Sequence, residues 1–215
     1  MGQQPEILDG SQVEAITTLR LLDNIERKKV VSQRSLAARL GIAVGLTNAY
    51  IKRLVRKGWV KVQKVPSRRY TYFLTPQGFV EKSRLTAEYL SISLAFFRRA
   101  REESVEALAA AKHRGMTRIA LYGASELAEI VTVAARENQA ELVGVVAPGR
   151  DDSSFCGLPV AASLAELAPF DAVMVTDVSA PQKIFDTLSQ TLDQDRILVL
   201  PLLHVVHVDA GEDET

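Results

Sequence analysis

Apolar residues recur at helical spacing in three short segments near the start of the chain. Residues 11–26 predict a first helix, and residues 32–40 predict a second one that Ser32 can cap and Gly41 can end. A third segment ends at Gly58, and its apolar stripe, spaced i, i+3, i+4 and i+7, consists of Thr47, Tyr50, Ile51 and Leu54. Two short helices joined by a tight turn predict a helix-turn-helix.

A strand pattern follows the third helix. Apolar and polar positions alternate across residues 59–75 on both sides of the sequence VPSRR, which predicts a β-hairpin with Pro66 and Ser67 near its tip. A helix-turn-helix followed by such a hairpin is the arrangement of a winged helix. We therefore expect a winged helix domain over residues 11–75.

Residues 76–114 contain no proline or glycine after Gly78 and predict one long linking helix. An apolar stripe along it repeats at spacings of four, three and four, and consists of Leu85, Tyr89, Ile92 and Phe96. Because an exposed stripe favours association with a second copy of the same helix, these four residues are the predicted homodimer interface. The alternative is that the stripe packs on the winged helix or on the C-terminal domain of its own chain.

Apolar strand segments alternate with helical segments from Met116 onward. The predicted strands are residues 117–123, 141–147, 157–160, 171–177 and 196–202, and the predicted helices are residues 125–138, 163–168 and 180–192. Such alternation indicates a parallel sheet covered by helices on both faces. The predicted fold class is therefore α/β with two domains, in which a parallel-sheet, Rossmann-like domain over residues 116–208 precedes a disordered acidic tail at 209–215.

The formal net charge of +0 hides an uneven distribution. Residues 1–115 contain 21 basic and 10 acidic residues, whereas residues 116–215 contain 5 basic and 16 acidic ones. No acidic residue lies between Glu26 and Glu81. A basic stretch of this length without acidic residues is typical of proteins that bind a polyanion, so double-stranded DNA is the predicted partner.

The polar and basic face of the third helix carries the predicted DNA contacts. An asparagine amide can pair with both polar atoms of an adenine edge, so Asn48 is the candidate for base reading, while Leu46 and Ala49 can touch thymine methyl groups. Basic residues later on the helix and on the hairpin are expected to contact phosphates or the minor groove. The predicted set is Gly45, Leu46, Asn48, Ala49, Lys52, Arg53, Arg56, Lys64, Ser67, Arg68 and Arg69.

Three segments, SQRSLAARLGI, KRLVRKGWVKVQ and YFLTPQGFVEKSRLTAEYL, resemble winged-helix transcription regulators of the MarR type. They are most similar to the subgroup associated with exopolysaccharide gene clusters. The resemblance covers residues 11–100 and implies a dimeric regulator that reads two-fold DNA sites. Leu46 and Ala49 depart from the usual pattern, in which larger or polar residues stand at these positions.

The opening turn of the C-terminal domain lies where a Rossmann domain holds a nucleotide. Gly123 keeps the turn, but Ser125 and Ala128 replace the second and third glycines of the usual motif, and Glu126 puts a negative charge in the first helical turn. The segments YGASELAEIV, LVGVV, GLPV and DAVMVT resemble the small Rossmann domain of some sugar acyltransferases and the sensing domain of Rex-type repressors.

A ribose-binding acidic residue is missing at the end of the second strand, where Ala147 stands with Arg150 nearby. We therefore expect a small-molecule effector such as a nucleotide or nucleotide sugar, or no ligand, in preference to NAD. The predicted ligand-binding set is Gly123, Ala124, Ser125, Glu126, Ala147, Arg150 and Thr176.

Catalytic and metal-binding patterns are weak in this sequence. No pattern supplies a nucleophile with its base, so we expect a regulator and not an enzyme. His204 and His207 lie in the apolar segment PLLHVVHVDA, which is expected to be extended, and three-residue spacing on a strand sends side chains to opposite faces, so no metal site is expected. A single cysteine and the absence of a long apolar span favour a cytoplasmic protein with no membrane partner. The alternatives are a Rex-like nicotinamide-responsive repressor and a nucleotide-sugar-modifying enzyme with an attached helix-turn-helix.

Overall fold

The computed structural model describes residues 10–27, 33–65 and 69–206. The chain folds into two compact units that divide between Leu94 and Ala95, and each unit has a hydrophobic core of its own. Several predicted features lie outside the described residues, namely Ser32, Pro66, Ser67, Arg68, His207 and the acidic tail at 209–215.

The N-terminal unit consists of three helices and a β-hairpin. The helices are α1 (Gly10–Arg27), α2 (Gln33–Leu40) and α3 (Val44–Arg56), and the strands are β1 (Val60–Val65) and β2 (Arg69–Leu74). The two strands are antiparallel, with Val60 opposite Leu74 and Val65 opposite Arg69. The winged helix-turn-helix that the periodicity predicts is therefore present.

Every helix and both strands of this unit contribute to its core. The apolar stripe of α3 points inward as predicted, with Thr47, Ile51 and Leu54 buried and Tyr50 packed partly buried beside them. The buried members of the core are Leu21, Leu22, Ile25, Leu36, Ile51, Leu54, Val60, Tyr72 and Leu85. The outward face of α3 is left exposed by this packing.

One helix, α4 (Pro76–His113), contributes residues to both units. Its predicted apolar stripe is not a single exposed surface. Leu85 is only 4% exposed and belongs to the winged-helix core, and Phe96 packs against the C-terminal core. Periodicity identifies the apolar positions of a helix, but it does not say which neighbouring element covers each turn.

Other apolar side chains of α4 are exposed instead. Leu90 is 52% exposed and Leu94 is 59% exposed, and the two lie four residues apart on the same side of the helix. Tyr89 and Phe97 are also exposed, whereas Ile92 is half-buried. The apolar surface of α4 is therefore shifted around the helix from the predicted stripe.

The C-terminal unit contains a six-stranded sheet and two helices besides the end of α4. Its elements are β3 (Arg118–Tyr122), α5 (Glu126–Asn138), β4 (Glu141–Val146), β5 (Ser154–Phe155), β6 (Leu158–Ala161), β7 (Ala172–Val175), α6 (Pro181–Leu188) and β8 (Ile197–Leu198). The strand order is β5-β6-β4-β3-β7-β8. All neighbouring pairs are parallel except β5 and β6, so a parallel sheet is present, as predicted.

The central strands β3 and β7 are the most deeply buried part of this sheet. Ile119, Ala120 and Leu121 of β3 and all four residues of β7 are buried. From β3 the chain adds strands β4, β5 and β6 on one side of the sheet and then crosses over to add β7 and β8 on the other side. The turns that follow these two strands therefore lie at the topological switch point, where open α/β sheets form their ligand crevices.

Two predicted elements differ from the structure. Residues 163–168 contain a single turn of 3₁₀ helix, Leu164–Glu166, where a helix was predicted. The last predicted strand, residues 196–202, is reduced to β8 and followed by a 3₁₀ turn, Pro201–Leu203. Pro201 has no N–H to donate to a strand ladder, which explains why the strand does not continue through it. His204 follows the 3₁₀ turn, where it is exposed, and does not lie on a strand.

Candidate nucleic-acid interface and C-terminal turn

The outward face of α3 is an exposed surface with a basic C-terminal half. Leu46 is 49% exposed, and its neighbours on this face are small, polar or basic. The predicted contact residues that are exposed on α3 are Gly45, Leu46, Ala49, Lys52, Arg53 and Arg56. A helix of this kind presents side chains that can enter a DNA major groove, with small residues first and cations after them.

Arg53 is the one predicted DNA contact on α3 with an acidic partner in the described residues. Its Nη1 lies 2.5 Å from Oε1 of Glu14 on α1, and both side chains remain partly exposed. This ion pair directs the guanidinium toward α1. Lys52 and Arg56 are exposed on the same helix and keep their charge on the outward face.

Asn48, the predicted base-reading residue, is half-buried and has a side-chain partner. Nε2 of Gln33, the first residue of α2, donates to Oδ1 of Asn48 over 3.2 Å. The same nitrogen donates to the hydroxyl of Tyr72 on β2 over 3.4 Å. Burial raises the pKa of Tyr72, and the hydrogen bond with Gln33 opposes that shift.

Sequence reasoning did not identify Gln33 or Tyr72 as parts of this site. Both positions are far from Asn48 along the chain, and no motif connects them. The only available signals were the position of Gln33 at the start of α2 and the core-facing register of Tyr72 on its strand. Contact between two helices and a strand is a tertiary feature, so it required the structure.

The hairpin carries the remaining predicted contacts. Lys64 is exposed on β1, and the backbone of Arg69 pairs with Val65 at the described end of β2. At the opposite end, the hydroxyl of Thr75 donates to the carbonyl of Gly58 over 2.6 Å and accepts from the amide of Gly78 over 3.0 Å. These bonds fix the hairpin base against the start of α4.

The C-terminal turn, residues 123–126, connects β3 to α5 at the switch point. The hydroxyl of Ser125 and the carbonyl of Gly123 in this turn are hydrogen-bonded within the chain. The hydroxyl of Ser125 donates to the carbonyl of Thr176 over 2.5 Å and accepts from the amides of Leu127 and Ala128, so Ser125 caps α5. The hydroxyl of Thr176 donates in turn to the carbonyl of Gly123 over 2.6 Å.

Gly123 itself packs against the backbone that follows β7. A Cβ atom on Gly123 would lie 2.4 Å from the amide nitrogen of Asp177, and the residue has a φ of +112°. The glycine is therefore required by the approach of Asp177 and by its own backbone conformation. In a dinucleotide motif the first glycine makes this tight turn and the second lets the backbone approach the pyrophosphate, and Ser125 occupies that second position here.

The other predicted ligand residues surround the same turn. Ala147 is buried after β4, and Glu126 is exposed in the first turn of α5. Nη1 of Arg150 donates to the carbonyl of Ala124 over 3.3 Å, while its Nη2 forms an ion pair with Asp152 over 2.5 Å. The structure thus brings the predicted set together, and Arg150 and Ser125 already have partners there.

Asp177 has an electrostatic environment that favours its charged form. Burial alone would raise its pKa, but hydrogen bonds from the Ser179 hydroxyl and from the amides of Ser179 and Ala180 outweigh burial and lower it. A carboxylate held in this way beside Gly123 adds negative charge to the switch point. This charge further disfavours an anionic ligand there.

A family model described as winged helix-turn-helix DNA-binding matches residues 15–61. The match covers α1, α2, α3 and the first residues of β1. The winged-helix component of the predicted resemblance is therefore confirmed. No curated protein sequence matches the chain significantly.

Solved structures of transcription regulators show similarity over part of the chain. The PcaV regulator of Streptomyces coelicolor is 21% identical, with a TM-score of 0.36, and the match covers 38% of this chain and 62% of that protein. A MarR-family protein of Mycobacterium tuberculosis in complex with p-aminosalicylic acid is 18% identical, with coverages of 45% and 75% and a TM-score of 0.37. MepR of Staphylococcus aureus, a regulator of the multidrug efflux pump MepA, is 17% identical, with coverages of 41% and 63% and a TM-score of 0.34.

The described residues lack two further features, a metal-binding cluster and a membrane-spanning helix. Within residues 10–27, 33–65 and 69–206, no group of three or more His, Cys, Asp and Glu side chains could hold a metal ion. No helix in the same part of the chain is long and apolar enough to cross a membrane.

Proposed function

We propose that the protein is a DNA-binding transcription regulator of the MarR type. The proposal rests on one observation above all: α3 of the winged helix exposes Lys52 and Arg56 on a face that contains no acidic residue. The match of residues 15–61 to a winged helix-turn-helix DNA-binding family supports it. Because phosphate contacts supply most of the affinity of such proteins, a basic outward face is the feature that DNA binding requires.

The residues of the winged helix divide into two groups in this proposal. Asn48 reads a base edge, with Leu46 and Ala49 beside it to contact thymine methyl groups. Phosphate contacts come from Lys52 and Arg56 on α3 and from the hairpin residues Lys64, Ser67, Arg68 and Arg69. Arg53 contributes less than these cations, because Glu14 neutralises part of its charge.

We further propose that the regulator acts as a homodimer through α4. Leu90 and Leu94 expose apolar surface on one side of this helix, and a second copy of the helix is a partner with matching chemistry. Two copies of α3 would then read a two-fold DNA site. This surface takes the place of the predicted interface, because Leu85 and Phe96 pack within their own units.

The C-terminal unit is, in this proposal, a Rossmann-like domain that serves assembly or binds an effector other than a dinucleotide. The reasons for this choice are the hydrogen-bonded hydroxyl of Ser125, which stands at the position of the second motif glycine, and the carboxylate of Asp177 beside the turn. They argue against the Rex-like nicotinamide-responsive alternative. Control of polysaccharide genes rests on the sequence resemblance alone, and the nucleotide-sugar-modifying enzyme remains the alternative from another class.

The DNA-binding proposal is tested with purified full-length protein and a fluorescent 30-base-pair duplex of random sequence. Lys52→Ala with Arg56→Ala should weaken binding at low salt by at least about tenfold and reduce the salt dependence, since phosphate contacts act through counterion release. Arg136→Ala with Lys183→Ala removes two exposed cations from the C-terminal unit and serves as the matched control. Equal binding by both double variants would contradict the assignment of α3 as the DNA-binding surface.

A further inference from the structure

Asn48, Gln33 and Tyr72 form a hydrogen-bonded chain of side chains within the N-terminal unit. Gln33 lies between the other two, at 3.2 Å from Asn48 and 3.4 Å from the Tyr72 hydroxyl. The chain connects the third helix, the second helix and the second hairpin strand. Sequence patterns predicted a role for Asn48 but did not connect it with Gln33 or Tyr72.

The contact with Gln33 restricts the amide of Asn48. The terminal torsion of an asparagine side chain is broad, so an unrestrained amide samples many orientations. A hydrogen bond at Oδ1 selects the orientation of the amide plane. It uses one of the two acceptor sites of that oxygen, so the second acceptor site and the two N–H groups keep their hydrogen-bonding capacity.

Tyr72 supplies a fixed anchor for this arrangement. Its side chain is 2% exposed and packs in the core with residues from α1, α2 and α3. A buried ring of this kind cannot move far without opening the core. The nitrogen of Gln33 that donates to Asn48 is therefore also held by Tyr72, and the orientation of the Asn48 amide is coupled to the packing of the hairpin strand.

We infer that Gln33 is a positioning residue that determines DNA sequence specificity by orienting the amide of Asn48 toward a base edge, with Tyr72 as its anchor. The inference rests on the proposed DNA-binding function. A bidentate amide contact with adenine requires one donor and one acceptor in the same plane. A preoriented amide makes this contact without first losing rotational freedom, so it discriminates between bases more strongly than a free one.

The test measures specificity and not affinity alone. A preferred duplex is selected from a random 30-base-pair library with full-length wild-type protein, and a shuffled duplex of the same composition serves as the nonspecific competitor. Gln33→Leu should reduce the affinity ratio between the two duplexes by about 3- to 10-fold, the usual effect of one hydrogen bond, and leave binding to the shuffled duplex nearly unchanged. Tyr72→Phe should lower the ratio in the same direction by a smaller factor.

Two further variants make the result specific to Asn48. In an Asn48→Ala background, Gln33→Leu should cause no additional loss, because the residue that it orients is absent. Gln190→Leu, an exposed glutamine of the C-terminal unit, is the matched control and should behave like wild type. Unfolding followed by the fluorescence of Trp59, the single tryptophan, verifies that each variant is folded.

Several outcomes would overturn the inference. Equal weakening of both duplexes by Gln33→Leu would make it a general structural residue, and full additivity with Asn48→Ala would disconnect the two residues. If Gln33→Leu does not fold, an unchanged affinity ratio for the folded Tyr72→Phe variant would overturn it. A wild-type protein that binds DNA without sequence preference refutes this inference alone, whereas one that binds no DNA at low salt refutes the proposed function as well.

Discussion

The hydroxyl of Ser125 donates a hydrogen bond to the carbonyl oxygen of Thr176 across the switch point of the C-terminal sheet, over 2.5 Å. The Ser125 oxygen also accepts two amide hydrogens of α5, so its donor and both acceptor sites are used. The turn after β3 is thereby joined to the turn after β7 by side chains of the protein. In a nucleotide site, a phosphate would occupy this position at the helix N-terminus.

The internally bonded turn leads to a prediction about ligands. We expect NAD, NADH and ATP, each at millimolar concentration, to leave the unfolding temperature of the full-length protein unchanged in a thermal-shift measurement. A ligand that binds only the folded state at 100 times its dissociation constant would add about 2.7 kcal/mol to the free energy of unfolding. A clear upward shift with NADH that is lost in Ser125→Ala would refute this view of the turn.

Ser125 is expected to matter for stability. Ser125→Ala removes the side-chain cap of α5 and should lower the free energy of unfolding of the C-terminal unit by about 1 kcal/mol. Amide hydrogen exchange of Leu127 and Ala128 should accelerate, because their amides lose an acceptor. Ser153→Ala, which changes an exposed serine of the same unit, is a suitable control. Equal exchange rates in wild type and Ser125→Ala would contradict the capping role.

Gly123 and Gly149 form a matched pair for testing the close approach at the switch point. Both have positive φ, at +112° and +80°, but only Gly123 has backbone atoms of Asp177 where a Cβ would stand. Both alanine variants incur conformational strain, and Gly123→Ala should lose a further 1–3 kcal/mol, roughly, because backbone atoms must move. Hydrogen exchange of β3 reports the difference. Equal destabilisation by the two variants would mean that the backbone at Asp177 can move away from a Cβ atom without a loss of stability.

The ion pairs of Lys82 predict that the stability of the N-terminal unit depends on pH. Its Nζ lies 2.9 Å from Asp23 and also forms an ion pair with Glu26. The hydrogen bond from Lys82 lowers the pKa of Asp23, so this contribution to stability is present above about pH 4 and is lost as the pH falls through the folded-state value. Lys82→Met should therefore unfold more easily at neutral pH.

The difference between wild type and Lys82→Met should begin to shrink below about pH 4 and should be smallest once the pH lies below the lowered folded-state pKa of Asp23, where Asp23 is protonated in both proteins. Urea unfolding followed by Trp59 fluorescence at several pH values measures this difference in the free energy of unfolding. Arg84→Met, which removes an exposed cation paired with Glu81 and Glu88 on the same helix, is the control and should have a smaller effect. A constant difference across the pH range would contradict the role of Asp23.

The surface of α4 predicts the mode of association. Leu90→Glu with Leu94→Glu should convert a dimer into monomers in light scattering, because like charges would face each other across a two-fold interface. Ala110→Glu, at another exposed position of α4, should leave the mass unchanged. If the folded double variant keeps the wild-type dimer mass, another surface forms the interface.

Hydrophobic periodicity predicted much of the fold, because short amphipathic helices and a buried parallel sheet have distinct patterns. The inward stripe of α3 at Thr47, Ile51 and Leu54 is an example. Periodicity could not predict that Leu85 is buried, because an apolar position is equally compatible with an intrachain neighbour and with a second chain. Likewise, the partners of Asn48 and Ser125 depend on elements distant in sequence, and only the folded chain brings Gln33 and Thr176 to them.

The most direct test of DNA binding is the salt dependence of the wild-type affinity for duplex DNA, measured by fluorescence anisotropy. If Lys52 and Arg56 of two protomers each neutralise one phosphate, these four contacts alone should make the affinity fall by roughly 100-fold between 50 and 200 mM salt, and the hairpin cations should add to that fall. The slope should become shallower in the Lys52→Ala, Arg56→Ala variant. No binding at low salt, or an affinity that does not change with salt, would contradict the assignment of this protein as a DNA-binding regulator.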